Sequence, residues 1–386
     1  MTPSQREIWV DAPGPFARLR PRVRNSAYAR LRPVRQRWTK LRGRDDVEPT
    51  GAAGPAFEVV GDFPPLAELE AVITHPAILQ VIERGPETPL TDAAPPAARM
   101  PLGAHQIAAS PRRVPATIVD IVPFGMELDM LELRLVQLWD LVDRFIVFES
   151  ARAFGGPSKP LFLQRNLARF DRFRSKLEPI ALDDAFAAQF SGGRKQLLDF
   201  SGEDAMKTVM WNRLRPALST DPNVVVLWGD HDELPSRDVV FWLKHCEVSL
   251  PVRLRPTALR YHFGFRDPEA DTDIVAFSPA ALGEHPGPRL RHLPGPVLRS
   301  RGTVHLTSFL PPLGLVAKFA IATEWDPGVL PYIRNAENQC ARMIANGRWF
   351  ERRLGAYDAV SDADGLIPWA ARANRARFAG FWGAWS

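Results

Sequence analysis

The sequence predicts an α/β protein built on a mostly parallel sheet, and three observations carry that expectation. Residues 224–235 read VVVLWGDHDELP, a short apolar run of the kind a strand buried on both faces needs, followed by clustered carboxylates. TIVDIVPF, GMELDMLELRLVQLWDLVD and RFIVFES then give strand, helix and strand in succession, the order of a βαβ unit. Between those strands, Met130, Leu131, Leu133, Leu135, Leu138, Leu141 and Val142 recur near helical spacing.

The 224–235 stretch organises the rest. Gly229 releases the chain from the strand, and Asp230, Asp232 and Glu233 arrive within four positions. Pro235 closes the turn, because it cannot donate to a ladder and disfavours helix at the residue before it. Open α/β sheets bind ligands in the crevice outside their strand ends. Carboxylates this dense repel one another unless a cation sits among them, so the pattern points to a divalent metal held by Asp230 and Asp232. The plainer alternative is a solvated acidic turn.

Composition bounds the rest of the reading. The apolar fraction of 45% and charged fraction of 24% in 386 residues are ordinary globular values, ample for one large domain and an extension. Residues 1–50 carry twelve Lys/Arg against five Asp/Glu, a balance of +7, so with a formal charge of +5 for the whole chain the remainder is about −2. That distribution argues against a nucleic-acid enzyme. Two cysteines, Cys246 and Cys340, imply no disulfide framework and no metal finger. No stretch approaches the ~20 apolar residues of a membrane span, and the first residues lack the layout of a secretory signal. A cytoplasmic protein is the expectation.

Three regions follow. Residues 1–55, rich in Arg and Pro, read as a disordered basic tail, able to touch an anionic membrane surface peripherally. Residues 56–115 read as a short helical segment and linker. Residues 116–386 read as the catalytic domain. Within it, the charged stretch NLARFDRFRSKLEP and the segments MKTVMWNRLRPAL and SRDVVFWLKHCEVS are expected to be helical. VRLRPTALRYHFGFRD and GTVHLTSF are expected as strands, and a patterned helix is expected over VLPYIRNAENQCARMIANGRWFERR.

By this point the chain resembles glycosyltransferase family 17, the family of the β-1,4-mannosyl-glycoprotein 4-β-N-acetylglucosaminyltransferase. The resemblance is carried by IVDIVPFGMELDMLELRL, VFES, GGPSKPL and DHDELP, and later by PYIRNAENQCARMIANGRWF and IPWAARANRARF, over about residues 117–378. It implies a GT-A-like nucleotide-diphospho-sugar transferase fold. It also implies inverting transfer of a sugar, N-acetylglucosamine from UDP-N-acetylglucosamine first, to a glycan or glycoside acceptor. The late histidine stands here in VHLTSF, without the Trp/Cys-rich surroundings common in the family.

Such a reaction needs a Mn²⁺ or Mg²⁺ ion on the leaving diphosphate, supplied with oxygen ligands. Asp230 and Asp232 are the expected ligands, Asp232 the more direct, and His305, near the end of a late strand, is a third candidate or else a core histidine. Glu233 is expected to orient the loop or meet the sugar. Glu127, Asp129 and Glu149 follow the first two strands, where the donor should dock. Lys159 in its Gly/Pro loop and Lys318 are expected near phosphates. Glu132 and Arg134 also follow the first strand near the donor, and the plainer reading has them cap and lace a surface helix. A general base is required opposite the leaving group, and Glu324 and Asp326 in ATEWDPG are candidates by placement. Two other classes stay open: a phosphatase whose aspartate nucleophile follows an apolar strand, and a glycan- or surface-binding protein without turnover.

Overall fold

The protein is described by a computed structural model that covers residues 7–8, 66–85, 87–101, 104, 107–182, 201–268, 272–282, 285, 287–322, 336–349 and 352–383. Two short helices come first, α1 (Leu66–Ile73) and α2 (Pro76–Glu83). The expected βαβ unit follows as β1 (Thr117–Phe124), α3 (Leu128–Leu138) and β2 (Arg144–Ser150), then β3 (Leu177–Leu182). Helix α4 (Ser201–Leu218) leads into β4 (Val224–Trp228), and β5 (Glu233–Leu234) and α5 (Arg237–His245) follow the acidic turn. Beyond these come β6 (Val252–Leu254), β7 (Thr257–Arg260), β8 (Phe265–Asp267), β9 (Ile274–Phe277) and β10 (Val297–Leu298). The late elements are β11 (Val304–Thr307), α6 (Pro312–Ile321), α7 (Ala336–Ala345) and α8 (Trp369–Ala373).

The main sheet runs β10-β6-β9-β4-β1-β2-β3, with Glu7–Ile8 parallel to β10 at its edge. β4, β1, β2 and β3 are parallel throughout, and β9 is antiparallel to both β4 and β6. The chain steps outward from β1 to β2 and β3, then returns to place β4 on the other side of β1. That reversal leaves a crevice outside the C-terminal ends of β1 and β4. A second sheet contains β8, β7, β11 and β5 in that order, so β5 ties the acidic turn to β11.

The strands are buried on both faces, as the unbroken apolar runs require. Ile118 and Val122 of β1 and Val225 and Leu227 of β4 enter the larger core with α3, α5 and α6. Val119 and Ile121, with Val224, Val226 and Trp228, enter a smaller core under α4, against Met210, Trp211 and Leu214. The alternation is the two-residue side-chain period of a strand applied to a sheet covered twice. Leu69, Ile73, Ile78 and Ile82 of α1 and α2 belong to the larger core and lie against α6, so this segment is packed into the domain rather than appended to it.

Three expectations are corrected. NLARFDRFRSKLEP is not one helix: a four-residue helix (Phe162–Arg165) and a 3₁₀ segment (Leu167–Phe173) give way to β3. β3 is an edge strand, where Pro179 is tolerated. The helix expected through residue 353 ends at Ala345, and Arg348–Trp349 pairs antiparallel with Arg352–Arg353 instead. Gly347 makes the break at φ +57°, where a Cβ would also lie 2.5 Å from the Phe265 ring. Glu132 and Arg134 do not lace a surface: both are buried, because α3 is covered by α5 and α8.

Candidate functional site

The acidic turn lies at the C-terminal ends of β4 and β1, and the residues on either side of it explain its shape. Gly229 allows a close approach: a Cβ there would stand 2.8 Å from Glu233 Oε2, and the carboxylate would have to shift. The turn is closed on itself by Asp230 N donating to Glu233 Oε2 at 2.8 Å and Glu233 N donating to Asp230 O at 3.0 Å. Glu233 lies opposite His305 in the β5/β11 pairing, and Leu306 N donates to Asp232 O at 2.8 Å. Two sheets therefore hold one short loop.

From below, Arg134 on α3 fixes the same loop. Its guanidinium makes two bonds of 2.6 Å to Asp120 of β1 and donates to Glu233 O at 2.6 Å and to Asp230 O at 3.3 Å. From the side, Arg291 donates to Asp230 Oδ2 at 2.7 Å and also to Glu233 Oε1. Lys207 of α4 stands 3.7 Å from Asp230 Oδ1.

The front of the turn faces β1 and α6. His231 Nε2 and Glu127 Oε2 are 2.9 Å apart, and the His231 ring packs edge-on to Phe124. Lys318 Nζ donates to Glu127 Oε1 at 2.9 Å and to Asp232 Oδ2 at 3.3 Å. His305 Nε2 lies 3.5 Å from Asp232 Oδ1. Five of the expected residues, Glu127, Asp232, Glu233, His305 and Lys318, are thus brought together, with Asp230 beside them.

Electrostatics follow from this crowding. Burial pushes the Asp232 carboxyl up, but Lys318, His305 and His231 outweigh it and hold it well below the usual carboxylate range. For Asp230, burial is likewise outweighed, by Arg291 and Lys207. Glu127 is lowered against its burial by Lys318 and His231. Glu233 goes the other way: burial raises it, Arg291 offsets only part, and neighbouring Asp230 adds to the rise. Burial lowers His231 and His305, but Glu127 lifts the first and Asp232 the second above the usual histidine value.

The fit to a divalent ion is partial and specific. Among the described residues no group of three or more His, Cys, Asp or Glu side chains is arranged as a metal centre. Asp230 is engaged by Arg291 and Lys207. Asp232 and His305 do fit: with bonds of about 2.1 Å, neighbouring ligands of an octahedral ion stand roughly 3 Å apart, near the observed 3.5 Å. Two protein donors suffice where phosphates and waters complete the sphere.

Other expected residues lie apart. Glu149 accepts from Leu163 N at 3.0 Å and Gln164 N at 3.2 Å, capping the short helix there, and Lys159 Nζ is 3.5 Å from it. Burial raises the Glu149 carboxyl and lowers the Lys159 amine, each offset in part by the other. Asp129 is half-exposed and paired with Arg169. Glu324 and Asp326 lie outside the described residues. Sequence reasoning missed His231, which stands between the two aspartates, and missed Arg291 and Lys207 altogether. His231 could have been found from its place in DHD; Arg291, one of several arginines in a polar stretch, carries no local signal.

Comparison with known proteins agrees with the family resemblance. Residues 101–273 match the family model described as Glycosyltransferase family 17. That span holds β1, α3, β2, β4 and the acidic turn, but not His305 or Lys318. The chain is 31% identical over 140 residues to the beta-1,4-mannosyl-glycoprotein 4-beta-N-acetylglucosaminyltransferases of Rattus norvegicus and Homo sapiens, matching 35% of this chain. It spans about a quarter of the length of those relatives, 24% and 25%. The resemblance to family 17 read from the sequence is borne out over this region. The mixed α/β architecture is consistent with a glycosyltransferase.

Proposed function

We propose that this protein is an inverting, metal-assisted glycosyltransferase of the GT-A-like kind. It moves N-acetylglucosamine from UDP-N-acetylglucosamine to a glycan or glycoside acceptor. The observation that carries this reading is the convergence of Asp232, His305, Glu127 and Lys318 at the C-terminal ends of β1 and β4, where an α/β sheet binds its ligand. The family match favours it over the phosphatase alternative.

Asp232 and His305 would hold Mn²⁺ or Mg²⁺, which supplies Lewis-acid stabilisation of the leaving diphosphate. Asp230 and Glu233, fixed by Arg291 and Arg134, keep the loop rigid, so that Asp232 needs no reorganisation when charge develops. Lys318 supplies a positive charge toward the phosphates. In the transfer, the bond from the anomeric carbon to the diphosphate oxygen breaks with its electron pair. The acceptor hydroxyl oxygen bonds the opposite face of that carbon and gives its proton to a general base. Glu324 and Asp326, which follow α6 directly, are the proposed bases. Asp129, Glu149 and Lys159 are the proposed outer contacts to the donor, and Asp230 joins Asp232 and His305 in the proposed metal environment.

No helix among the described residues is long and apolar enough to cross a membrane. We place the enzyme in the cytoplasm, with the basic tail of residues 1–55 touching anionic lipid and no nucleic-acid partner. The test is release of nucleoside diphosphate from a panel of sugar nucleotides with Mn²⁺ or with EDTA, beside an Asp232→Asn control. Metal-dependent release from one donor, lost in the variant, is the expected result. Silence across the panel with no nucleotide binding by calorimetry would replace this reading with the glycan-binding one.

A further inference from the structure

Asp232 is the most loosely held carboxylate of the acidic turn. Asp230 receives Arg291 at 2.7 Å, Glu233 receives Arg291 and the Asp230 amide, and Glu127 receives Lys318 and faces His231, both at 2.9 Å. The cationic groups nearest the two oxygens of Asp232 stand at 3.3 Å for Lys318 and 3.5 Å for His305. Charge-assisted N–H···O bonds are typically about 2.7–2.9 Å long. Asp232 is only 6% exposed, so a buried anion lies outside ideal reach of both neighbours and can still take a closer positive charge.

Lys318 joins a partly exposed side chain to a packed helix. Its side chain keeps 21% exposure, while the helix that carries it is fixed: α6 buries Leu315, Val316, Ala317, Phe319 and Ala320 on the larger core. Ile321 Cδ1 packs 3.4 Å from where a Cβ on Gly125 would stand, which sets α6 directly against the loop bearing Glu127. The anchor is rigid and the ammonium is a point charge on a flexible four-carbon stem.

We propose that Lys318 is a tethered counter-cation that competes with the divalent ion for Asp232. In the donor-free protein its Nζ bridges Glu127 and Asp232 and keeps the two buried carboxylates from repelling each other. An ion held by Asp232 and His305 would repel the ammonium, which would then leave Asp232 and be free to face a bound diphosphate. The exchange holds the number of positive charges beside Glu127 and Asp232 at one or more throughout. The inference deepens the metal-assisted reading above and rests on it.

The test is Mn²⁺ binding to the full chain, followed by electron paramagnetic resonance of free Mn²⁺ and by calorimetry, without nucleotide and then with UDP. Lys318→Met is expected to bind Mn²⁺ about tenfold more tightly than the unaltered protein when nucleotide is absent, within the range that neighbours of a metal site exert. UDP is then expected to strengthen Mn²⁺ binding less in the variant, because no ammonium is released to meet the diphosphate. Asp232→Asn is expected to lose Mn²⁺ binding. Lys318→Gln, which keeps a polar head without the charge, repeats the measurement should the methionine variant fold poorly. Equal or weaker Mn²⁺ binding by both Lys318 variants, with Asp232→Asn still defective, overturns the competition and leaves the metal site standing. No Mn²⁺ binding by any form overturns the metal reading and the competition together.

Discussion

Arg134 and Asp120 form a fully buried bidentate pair, and the same guanidinium reaches past Asp120 to the carbonyl of Glu233 in the acidic turn. The pair therefore couples β1, α3 and the loop after β4 into one rigid unit beneath the crevice. An arginine that satisfies a carboxylate and three carbonyls at once has no lysine equivalent, because a lysine ammonium lacks the planar fork.

Arg134→Met is expected to cost about 3–5 kcal/mol, since it strands the Asp120 carboxylate in the core. The double variant Asp120→Ala/Arg134→Met should recover most of that loss, because replacing a whole buried pair is often close to neutral. It should not recover donor turnover, because the loop carbonyls still lack their donor. Urea unfolding and nucleotide release, measured on both variants, check the two halves of this statement separately.

The buried Glu149–Lys159 pair offers a pH-dependent counterpart. Removing the amine in Lys159→Met leaves a carboxylate that burial already raises above its usual value. A carboxyl raised in the folded state holds its proton there more firmly than in the unfolded chain, so its contribution to stability is greatest at low pH and is lost as pH rises. Lys159→Met should therefore be destabilised by about 3 kcal/mol at pH 7. It should lie closer to the unaltered protein near pH 4. Chemical denaturation of both forms at the two pH values is the measurement, and an unchanged difference would contradict the assignment.

Arg291 depends on a close packing contact made elsewhere. Gly287 opens its 3₁₀ segment (Gly287–His292), and a Cβ at that position would stand 2.2 Å from the Lys207 carbonyl oxygen on α4. Gly287→Ala must push this segment off α4 and draw Arg291 away from Asp230 and Glu233. On the proposed metal-assisted reading, turnover should fall by about 10–100-fold, the range for groups that orient a metal site. Arg291→Lys, which retains charge but not the fork, should reproduce much of that loss without disturbing α4.

The two thiols should differ sharply. Cys340 is fully buried, and burial pushes its thiol up to about 12, while Cys246 is half-buried. Because the thiolate is the reactive species, a disulfide reagent at pH 8 should modify Cys246 first, and Cys340 only when the chain unfolds. Peptide mapping after brief labelling identifies which cysteine has reacted.

The sequence by itself determined the α/β class, the βαβ unit and the place of the acidic turn. It could do so because buried parallel strands are local apolar runs and a turn that must bend and carry charge spells itself out in Gly229, Asp230, Asp232, Glu233 and Pro235. Edge strand β3 escaped because six residues containing a proline resemble the end of a helix as much as a strand. Tertiary structure decided how the carboxylates were divided. Asp230 went to Arg291 and Lys207, Asp232 to Lys318 and His305, and Glu127 to His231. Arg134, expected on a helix surface, became the floor of the site. Apart from Lys207 and Asp230, those partners lie between 61 positions apart, as Asp230 and Arg291 do, and 191, as Glu127 and Lys318 do. No local pattern encodes a pairing that only the return of β4 beside β1, and the docking of β11 and α6 over it, brings within bonding distance.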